Sequence, residues 1–342
     1  MTKLACMGGE RLLGRYSRTV TLWRYTLLVA AMAVVADTAC STRSCPTIAP
    51  APRDFTISPT IVDQPSFTRL YAISDIHGGY DRMVALLMQW GLISASPASP
   101  ELVEWTGGDA TLVVTGDLID KGSQSIEVID SLRALEASAA TKSGHVIVML
   151  GNHEAEFLAD PYNSKADAFD SELTSQRLDP CVVATTEPRG IWLRTRPLGA
   201  RIGDWFFSHA GETHGRTLAE LEQGLRSGLA ANDFRDAAVI GSESILESHD
   251  WWKASPQTAQ RNADALGAAH IVFGHTPDAL GPRGSIATGE NGLLFRIDVG
   301  MSPAVDDSPG ALLEITHETS DEVARELRAD GNTNTLWRGP GR

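Results

Sequence analysis

The segment TLVVTGDLIDKG, residues 111–122, joins an apolar strand to a group of charged residues, a pattern that recurs along the chain and indicates the fold class. Residues 111–115 are apolar or β-branched, as expected for a strand that is covered on both faces. Two carboxylates, Asp117 and Asp120, and one ammonium, Lys121, then follow between two glycines. Burying charge is costly unless something compensates it, so this stretch indicates a site at the end of the strand.

Four other predicted strands end in residues of the same kind. Glycine and an aspartate, asparagine or histidine follow each strand: Asp75 and His77 after residues 70–74, Asn152 and His153 after residues 145–150, His209 after residues 205–208, and His275 after residues 271–273. Helical patterns at residues 82–90, 124–138 and 218–229 separate the strands, which predicts an α/β fold with a partly parallel sheet. Sites in such sheets form outside the carboxyl ends of the strands.

Each motif alone has an ordinary structural explanation. Asp-x-His is common turn chemistry, and the asparagine of GNHE, residues 151–154, suits a helix N-cap. Five motifs at the same ends of five strands instead indicate one shared site. Aspartate, asparagine and histidine together suit Mn, Fe or Zn, whereas a structural zinc cage uses cysteine and a calcium loop uses spaced oxygen ligands. A carboxylate that bridges two such ions holds them about 3.5–4 Å apart, which suits in-line attack on phosphorus.

The composition is that of a globular protein with an acidic body. The chain has 342 residues, a hydrophobic content of 42% and a net charge of −14. Residues 1–50 carry six basic and two acidic side chains, so they are +4 and the remainder of the chain is −18. An acidic body argues against nonspecific binding to nucleic acid or to anionic membranes. It does not exclude a phosphorylated substrate, because bound cations can reverse the local field.

The amino terminus has the pattern of an export signal. A basic stretch ends at Arg24, and TLLVAAMAVVA, residues 26–36, follows it and is too short to span a bilayer. We therefore predict that residues 1–40 are a signal peptide or a lipoprotein-type export segment, and that the protein is periplasmic or attached to the cell envelope. Cys40 stands where a lipoprotein is acylated, although Asp37 departs from that pattern. The alternative is a disordered cytosolic tail.

The rest of the chain divides into three parts. Residues 41–66 are rich in proline, serine and threonine, which predicts a linker; residues 67–320 hold every motif, and residues 321–342 are predicted to be a tail. Residues 160–190 have weak periodicity and are interpreted as an insertion or lid. Cys40 and Cys45 are near enough in sequence to pair in an oxidising compartment, and free or acylated cysteine is an equal alternative.

The ordered motifs D-x-H-G, G-D-x-x-D-K-G, G-N-H-E, H-A-G and G-H-T resemble those of the calcineurin-like metallophosphoesterases. Within that family they are most similar to the phosphoprotein phosphatase branch, and residues 105–117 and 296–302 resemble its Shewanella-like bacterial members. The resemblance covers about residues 68–317. It implies a four-layer αββα sandwich of two mixed β-sheets, with a dinuclear metal site at the carboxyl ends of the strands.

The resemblance also implies a role for each motif residue. The first ion is bound by Asp75 and His77, and Asp117 bridges both ions. The second ion is bound by Asn152, His209 and His275. His153 is the general acid that protonates the leaving oxygen, and Asp120 keeps it charged and oriented. Many relatives end the last motif in GHxH, whereas Pro277 stands there in this chain, as the phosphoprotein phosphatase branch leads us to expect.

Two lysines are predicted to bind the phosphate oxygens. Phosphoprotein phosphatases usually have arginine where Lys121 stands, and a second arginine between the last two histidine motifs, where Lys253 is the best match. Lysine is a point charge whereas arginine offers a bidentate fork, so the resemblance implies a looser grip on phosphate. The alternative for Lys253 is a charged residue at the end of a surface helix.

The leading interpretation is a metal-dependent phosphoester hydrolase that removes phosphate from serine, threonine or tyrosine in proteins, with two divalent transition-metal ions. The first alternative is a small-molecule phosphomonoesterase or a nucleotide pyrophosphohydrolase. The second is a catalytically weak metal-binding protein. A fold-level resemblance does not choose the substrate. The histidines outside the motifs, including His249, are interpreted as ordinary packing or surface residues.

Overall fold

A computed structural model of the protein describes residues 43–46, 50–230 and 234–340. The predicted export segment and Cys40 lie outside the described residues. Within the described part, two six-stranded sheets are built from β1 (Ile61–Gln64), β2 (Arg69–Ile73), β3 (Thr111–Val114), β4 (His145–Val148), β5 (Gly199–Ile202), β6 (Trp205–Ser208), β7 (His270–Phe273), β8 (Ala287–Gly289), β9 (Leu294–Arg296), β10 (Ala311–Glu318), β11 (Asp321–Arg328) and β12 (Thr333–Pro340).

The first sheet carries the motifs that come early in the chain. Its strand order is β12-β11-β10-β2-β3-β4, and β2, β3 and β4 are parallel. Leu70 lies opposite Thr111, and Thr111 lies opposite His145, so the three strands end level with one another. The loops that follow β2, β3 and β4 therefore leave the sheet side by side.

The second sheet carries the two late histidine motifs. Its strand order is β1-β5-β6-β7-β9-β8, and β6, β7 and β9 are parallel. The two sheets are in contact through Trp205 on β6. Its indole donates a hydrogen bond of 2.9 Å to Glu322 on β11 and packs against the ring of Trp337 on β12. Both sheets mix parallel and antiparallel pairs, which confirms the predicted fold class.

The helices are α1 (Tyr80–Gln89), α2 (Ser125–Ala140), α3 (Asn152–Ala159), α4 (Asp167–Ser175), α5 (Pro180–Thr185), α6 (Pro188–Arg194), α7 (Leu218–Leu229), α8 (Ala237–Ile240) and α9 (Pro256–Leu266). The segment interpreted as an insertion, residues 160–190, folds into α4, α5 and the start of α6. Asp179 and Glu187 cap α5 and α6, each followed by a proline in the first turn. No helix in the described residues is long and apolar enough to cross a membrane.

Two boundary predictions were wrong. Part of the predicted linker, residues 41–66, is strand β1, which pairs in parallel with β5. The guanidinium of Arg53 in the same segment donates hydrogen bonds to the backbone carbonyl oxygens of Ser58, Pro59, Arg194 and Arg196. The predicted tail, residues 321–342, supplies β11 and β12 to the edge of the first sheet. Both segments are polar enough to suggest loops, but pairing with strands that are distant in sequence gives their backbone groups partners.

A disulfide joins Cys45 to Cys181, across 136 residues of sequence. Of the two equal alternatives, a bond between Cys40 and Cys45 and a free Cys45 are therefore both excluded. Spacing alone cannot reveal this connectivity, because the partner lies in α5, which the fold brings to the amino-terminal segment. The bond holds residues 43–46 against the helices that follow the GNHE motif.

Candidate active site

The structure brings the motif residues of both sheets to one place. The loops after β2, β3 and β4 deliver the early motifs, and the loops after β6 and β7 deliver His209 and His275. The backbone N–H of His275 donates to the carboxylate of Asp75 at 3.1 and 3.2 Å, which joins the two sheets at the site. Asp75, His77, Asp117, Asn152 and His209 are all buried, and His275 is half-buried.

Several of these residues adopt a strained backbone conformation. Asp75, His77, Asp117, Asp120 and His275 have φ between 44° and 66°, in the left-handed region that side-chain-bearing residues rarely adopt. Such strain persists only where the surrounding structure enforces it, and it concentrates at functional sites. The glycine before Asp117 has a related role: Gly116 has φ of 97°, and a Cβ there would lie 2.1 Å from the backbone nitrogen of Gly151. Only glycine lets these two loops approach.

Asp117 lies at the centre of the cluster. Its Oδ2 is 3.3 Å from Nε2 of His77, and its Oδ1 is 3.4 Å from Nε2 of His209. The two carboxylate oxygens therefore face different histidines on different sheets. This is the arrangement expected of a carboxylate that bridges two cations.

The donor atoms have the spacing that a metal ion requires. Two ligands about 2.1 Å from one ion lie roughly 3.0–3.4 Å apart at angles between 90° and tetrahedral. Nε2 of His209 is 3.1 Å from Oδ1 of Asn152, 3.2 Å from Nδ1 of His275 and 3.4 Å from Oδ1 of Asp117. Asp117 and His77 satisfy the same spacing, while Asp75 is 4.0 Å from Nε2 of His77. His209 and the three donors near it have the spacing for one divalent ion. His77 and Asp117 have the spacing for a second, and Asp75 lies farther from His77 than this range.

Two histidines of the cluster have the ring nitrogen that faces away from it held by a backbone carbonyl. Nδ1 of His77 lies 2.9 Å from the carbonyl oxygen of Ile119, and Nδ1 of His209 lies 3.0 Å from that of Thr115. A proton on Nδ1 leaves the lone pair of Nε2 directed at the site, and such outer contacts fix the tautomer of a metal-binding histidine. These two carbonyl contacts were not predictable, because a backbone oxygen is present at every position of the sequence.

The electrostatics of the cluster favour cations. Burial raises the pKa of Asp75. Burial also acts to raise the pKa of Asp117, but attraction to His209, His153 and His77 outweighs it and lowers that pKa well below the usual range. Burial lowers the pKa of His77 to about 4 and of His275 to about 2, so both rings are neutral, as a metal ligand must be. The pKa of His209 rises to about 10 because the attraction of Asp117 and Asp75 outweighs burial, and a cation bound by its Nε2 would displace that proton. Buried carboxylates thus draw positive charge into the site.

His153 is placed beside the cluster with one nitrogen held and the other directed inward. Its Nδ1 lies 2.6 Å from the backbone carbonyl of Lys165 and 3.4 Å from Oδ2 of Asp120, while its Nε2 lies 3.9 Å from Oδ2 of Asp117. Burial lowers the pKa of His153, but the charge of Asp117 and the contact with Asp120 outweigh it and raise the pKa above the usual value. The ring can therefore carry a proton that faces the site.

Asp120 does more than contact His153. Its Oδ1 accepts hydrogen bonds from the backbone N–H groups of Ala168 and Phe169 at the start of α4. Asp120 consequently fixes the helix that follows Lys165 as well as the imidazole itself. The predicted partnership of Asp120 and His153 is present, but the closest acceptor for the ring is a carbonyl that the sequence could not identify.

Glu154, the last residue of GNHE, fixes the loop that carries Asp117, a role that the motif alone does not predict. Its carboxylate accepts four backbone hydrogen bonds of 2.7–3.0 Å, from Asp117, Leu118, Ile119 and Gly151. Burial and the nearby charge of Asp117 raise its pKa to about 7. Four donors around one carboxylate hold the GDLID loop in the conformation that places Asp117 at the centre of the site.

The two lysines predicted to bind phosphate differ in their surroundings. Lys121 is exposed, has no ion-pair or hydrogen-bond partner within the described part of the chain, and its charge acts to lower the pKa of both His77 and His153. Lys253 is also exposed, but its Nζ lies 2.8 Å from Asp250 and over the ring of Trp252. The structure thus places Lys121 beside the site and gives Lys253 surface partners, as in the alternative interpretation.

One histidine interpreted as an ordinary surface residue belongs to the site. His249 lies with its Nε2 3.0 Å from Nε2 of His275, and its Nδ1 is 3.3 Å from Oγ1 of Thr276. A carboxylate oxygen of Glu247 and ring nitrogens of both histidines lie within 4.8 Å of one another. This position was not predictable, because His249 stands in a segment that has neither an adjoining glycine nor a predicted strand.

A cavity of about 760 Å³ adjoins the site on the side of Lys121. The residues that line it come from the loops around Gly78 and Gly122, from the start of α1, from α4 and from the loop at Pro303. None of these lining residues is aromatic; most are glycine, serine, alanine or charged. The cavity therefore offers polar contacts and close approach to backbone, without a ring on which a base could stack.

Comparison with known proteins points the same way. The sequence profile described as "Calcineurin-like phosphoesterase" matches residues 68–279. Shewanella-like protein phosphatase 2 of Arabidopsis thaliana is 25% identical over 73% of this chain and 76% of its own length. A symmetrical bis(5'-nucleosyl)-tetraphosphatase of Methylococcus capsulatus is 32% identical, but over only 42% of each chain.

A solved structure has the same fold. The cold-active protein-tyrosine phosphatase of a psychrophilic Shewanella species superimposes with a TM-score of 0.64 and 22% identity, over 81% of this chain and 82% of that protein. At that identity the similarity supports the fold and leaves the substrate open.

Proposed function

The chain belongs to the calcineurin-like phosphoesterases and is therefore a metal-dependent phosphoric ester hydrolase, and we propose that its substrates are proteins phosphorylated on serine, threonine or tyrosine. The observation that carries the hydrolysis of a phosphoester is the placement of Asp117, with one oxygen toward His77 and the other toward His209; the choice of a peptide substrate rests on the lining of the adjoining cavity. This arrangement is expected where two ions act on one phosphoryl group.

The proposed ion positions follow from the donor atoms. Asp75, His77 and Asp117 hold the first ion, and Asp117 with Asn152, His209 and His275 holds the second. When bound, two ions of Mn, Fe or Zn supply a water-derived nucleophile near neutral pH and neutralise charge on the phosphoryl oxygens. The nitrogen and oxygen donors, without cysteine, are consistent with this choice of metals.

The chain's own residues perform the remaining tasks. His153 donates the proton on Nε2 to the leaving oxygen, while the carbonyl of Lys165 and the carboxylate of Asp120 hold Nδ1. Lys121 contacts the phosphate oxygens with an ammonium that pairs with no carboxylate among the described residues. Glu154 keeps the loop that carries both Asp117 and Asp120 in place.

The residues that line the adjoining cavity favour a peptide over a nucleotide as the leaving group. A nucleobase gains about 1–3 kcal/mol from stacking on an aromatic side chain, and the lining of this cavity supplies none. A peptide needs room and polar partners, which glycines, serines and charged residues provide. The nucleotide pyrophosphohydrolase alternative rests on the partial similarity to the tetraphosphatase.

The experiment that tests the proposal is a comparison of kcat/KM in the presence of Mn²⁺. Peptides that carry phosphoserine, phosphothreonine or phosphotyrosine, a symmetrical dinucleoside tetraphosphate and a sugar phosphate are the substrates. We expect the phosphopeptides to have the highest kcat/KM. A higher value for the dinucleotide would transfer the assignment to the nucleotide alternative.

We also propose that the protein is exported to an oxidising compartment. The Cys45–Cys181 disulfide supports this, because such bonds persist outside the reducing cytosol. Mass spectrometry of the protein from its native host should find a mature chain that lacks the first part of the sequence and in which Cys45 and Cys181 are linked. An intact Met1 with both thiols free would refute export. Acylation of Cys40 stays a prediction, which the mass of the mature amino-terminal peptide tests.

A further inference from the structure

His249 is the outer partner of a metal-ligand histidine. Nδ1 of His275 faces the donors around His209, so its lone pair is directed at the second ion position and its proton is on Nε2. That proton points at Nε2 of His249, 3.0 Å away. His249 then carries its own proton on Nδ1 and donates it to Oγ1 of Thr276, 3.3 Å away. This sequence of contacts fixes the tautomer and the orientation of His275.

Lys165 connects this histidine pair to the general acid. Its backbone carbonyl lies 2.6 Å from Nδ1 of His153. Its ammonium contacts the carboxylate of Glu247, which is buried and lies within 4.8 Å of His249 and His275. One residue therefore contacts His153 through its main chain and the surroundings of His275 through its side chain.

We propose that Lys165, Glu247 and His249 form a brace across the cleft that holds the general acid His153 at a fixed distance from the metal ligand His275. The brace rests on the proposed function, since it acts on the acid and on the second ion position. Its members are positioning residues: none is required to touch the substrate. The ammonium of Lys165 already pairs with the carboxylate of Glu247, and its positive charge opposes a third cation between Glu247, His249 and His275.

The first test measures metal affinity, which is independent of the substrate. The whole chain is stripped with a chelator and titrated with Mn²⁺ in competition with a chromophoric chelator. In His249→Phe, we expect the affinity of one of the two sites to fall about 10–100-fold, because an outer partner of a ligand histidine is lost. His317→Phe is the matched control. His317 lies on β10 beside the amino-terminal end of β2, whereas the site lies at the carboxyl-terminal end of β2.

The second test measures the acid. Lys165→Met and Glu247→Gln should each lower kcat for an alkyl phosphate more than for p-nitrophenyl phosphate, whose leaving group needs no proton. The double variant should lose no more than the larger single effect, because both changes break the same ion pair. Lys165→Arg should recover most of kcat.

Two results would overturn the brace. One is unchanged Mn²⁺ affinity at both sites in His249→Phe, and the other is a third ion per wild-type chain that His249→Phe removes. Because these readouts need only metal binding, a failure of the brace is distinguishable from a failure of the protein phosphatase assignment.

Discussion

The backbone carbonyl of Lys165 lies closer to Nδ1 of His153 than the carboxylate of Asp120 does, at 2.6 Å against 3.4 Å. The orientation of the imidazole therefore does not depend on Asp120 alone. The carboxylate contributes charge instead, because its contact with His153 helps to raise the pKa of that ring. The two partners should have separable effects on catalysis.

Asp120→Asn tests the role of charge. The variant keeps the carbonyl contact, so we expect kcat for a phosphopeptide to fall only about tenfold, equivalent to about 1.4 kcal/mol. Removing the carboxylate lowers the pKa of His153, so its protonated form is lost at lower pH and the alkaline limb of the kcat profile should shift toward acid. An unshifted limb would show that Asp120 acts only by anchoring α4.

His153→Asn tests the general acid. Proton donation matters most for a poor leaving group, so kcat for an alkyl phosphate should fall about 10²–10⁴-fold. The loss for p-nitrophenyl phosphate should be much smaller, because its phenolate leaves without a proton. Equal losses on both substrates, or a loss of bound metal, would assign His153 a structural role instead.

Lys121→Ala tests the phosphate contact. We expect a higher KM and a loss of about 10²-fold in kcat/KM, on the order of 3 kcal/mol for one charge-assisted contact. Lys121→Arg should keep substantial activity, and metal content should not change in either variant. Lys253→Ala is the control: its ammonium is paired with Asp250 at the surface, so its kcat/KM should stay near the wild-type value. Wild-type kcat/KM in Lys121→Ala would end this assignment.

Glu154→Gln tests the clamp on the GDLID loop. The amide keeps one acceptor oxygen and puts an NH2 group against backbone donors, so the free energy of unfolding should fall by about 2–3 kcal/mol. Chemical denaturation at pH 8 measures this. Glu222→Gln is the control, because Glu222 is a half-buried residue of α7 whose side chain, among the described residues, pairs with Arg226 at 3.8 Å and holds no loop. Equal, small changes in both variants would mean that the four hydrogen bonds do not stabilise the fold.

The convergence of the motif residues was predictable from the sequence because each of them closely follows a strand with an apolar pattern. Asp117 follows β3, Asn152 follows β4 and His275 follows β7, so the motif and the strand that positions it are read together. Parallel strands then bring these ends to one edge, whatever the details of packing.

The residues that sequence reasoning missed act through contacts between distant segments. His249 meets His275 only because two loops converge, and Cys181 meets Cys45 across 136 residues. The carbonyl of Lys165 belongs to a backbone position where any residue supplies the same atom. Strand β1, with the sequence IVDQ, is too short and too polar to stand out beside a proline-rich stretch, and it forms because β5 offers it an edge.

The proposal that Asp117 holds both catalytic ions is tested by the metal content and activity of the Asp117→Asn variant. Elemental analysis of the desalted wild-type protein should find close to two transition-metal ions per chain, and chelation should abolish hydrolysis of phosphopeptides until Mn²⁺ is restored. Asp117→Asn should lose both the ions and the activity, because one carboxylate contributes to both positions. Full activity of the wild-type protein after exhaustive chelation and desalting, or two retained ions in Asp117→Asn, would contradict the claim.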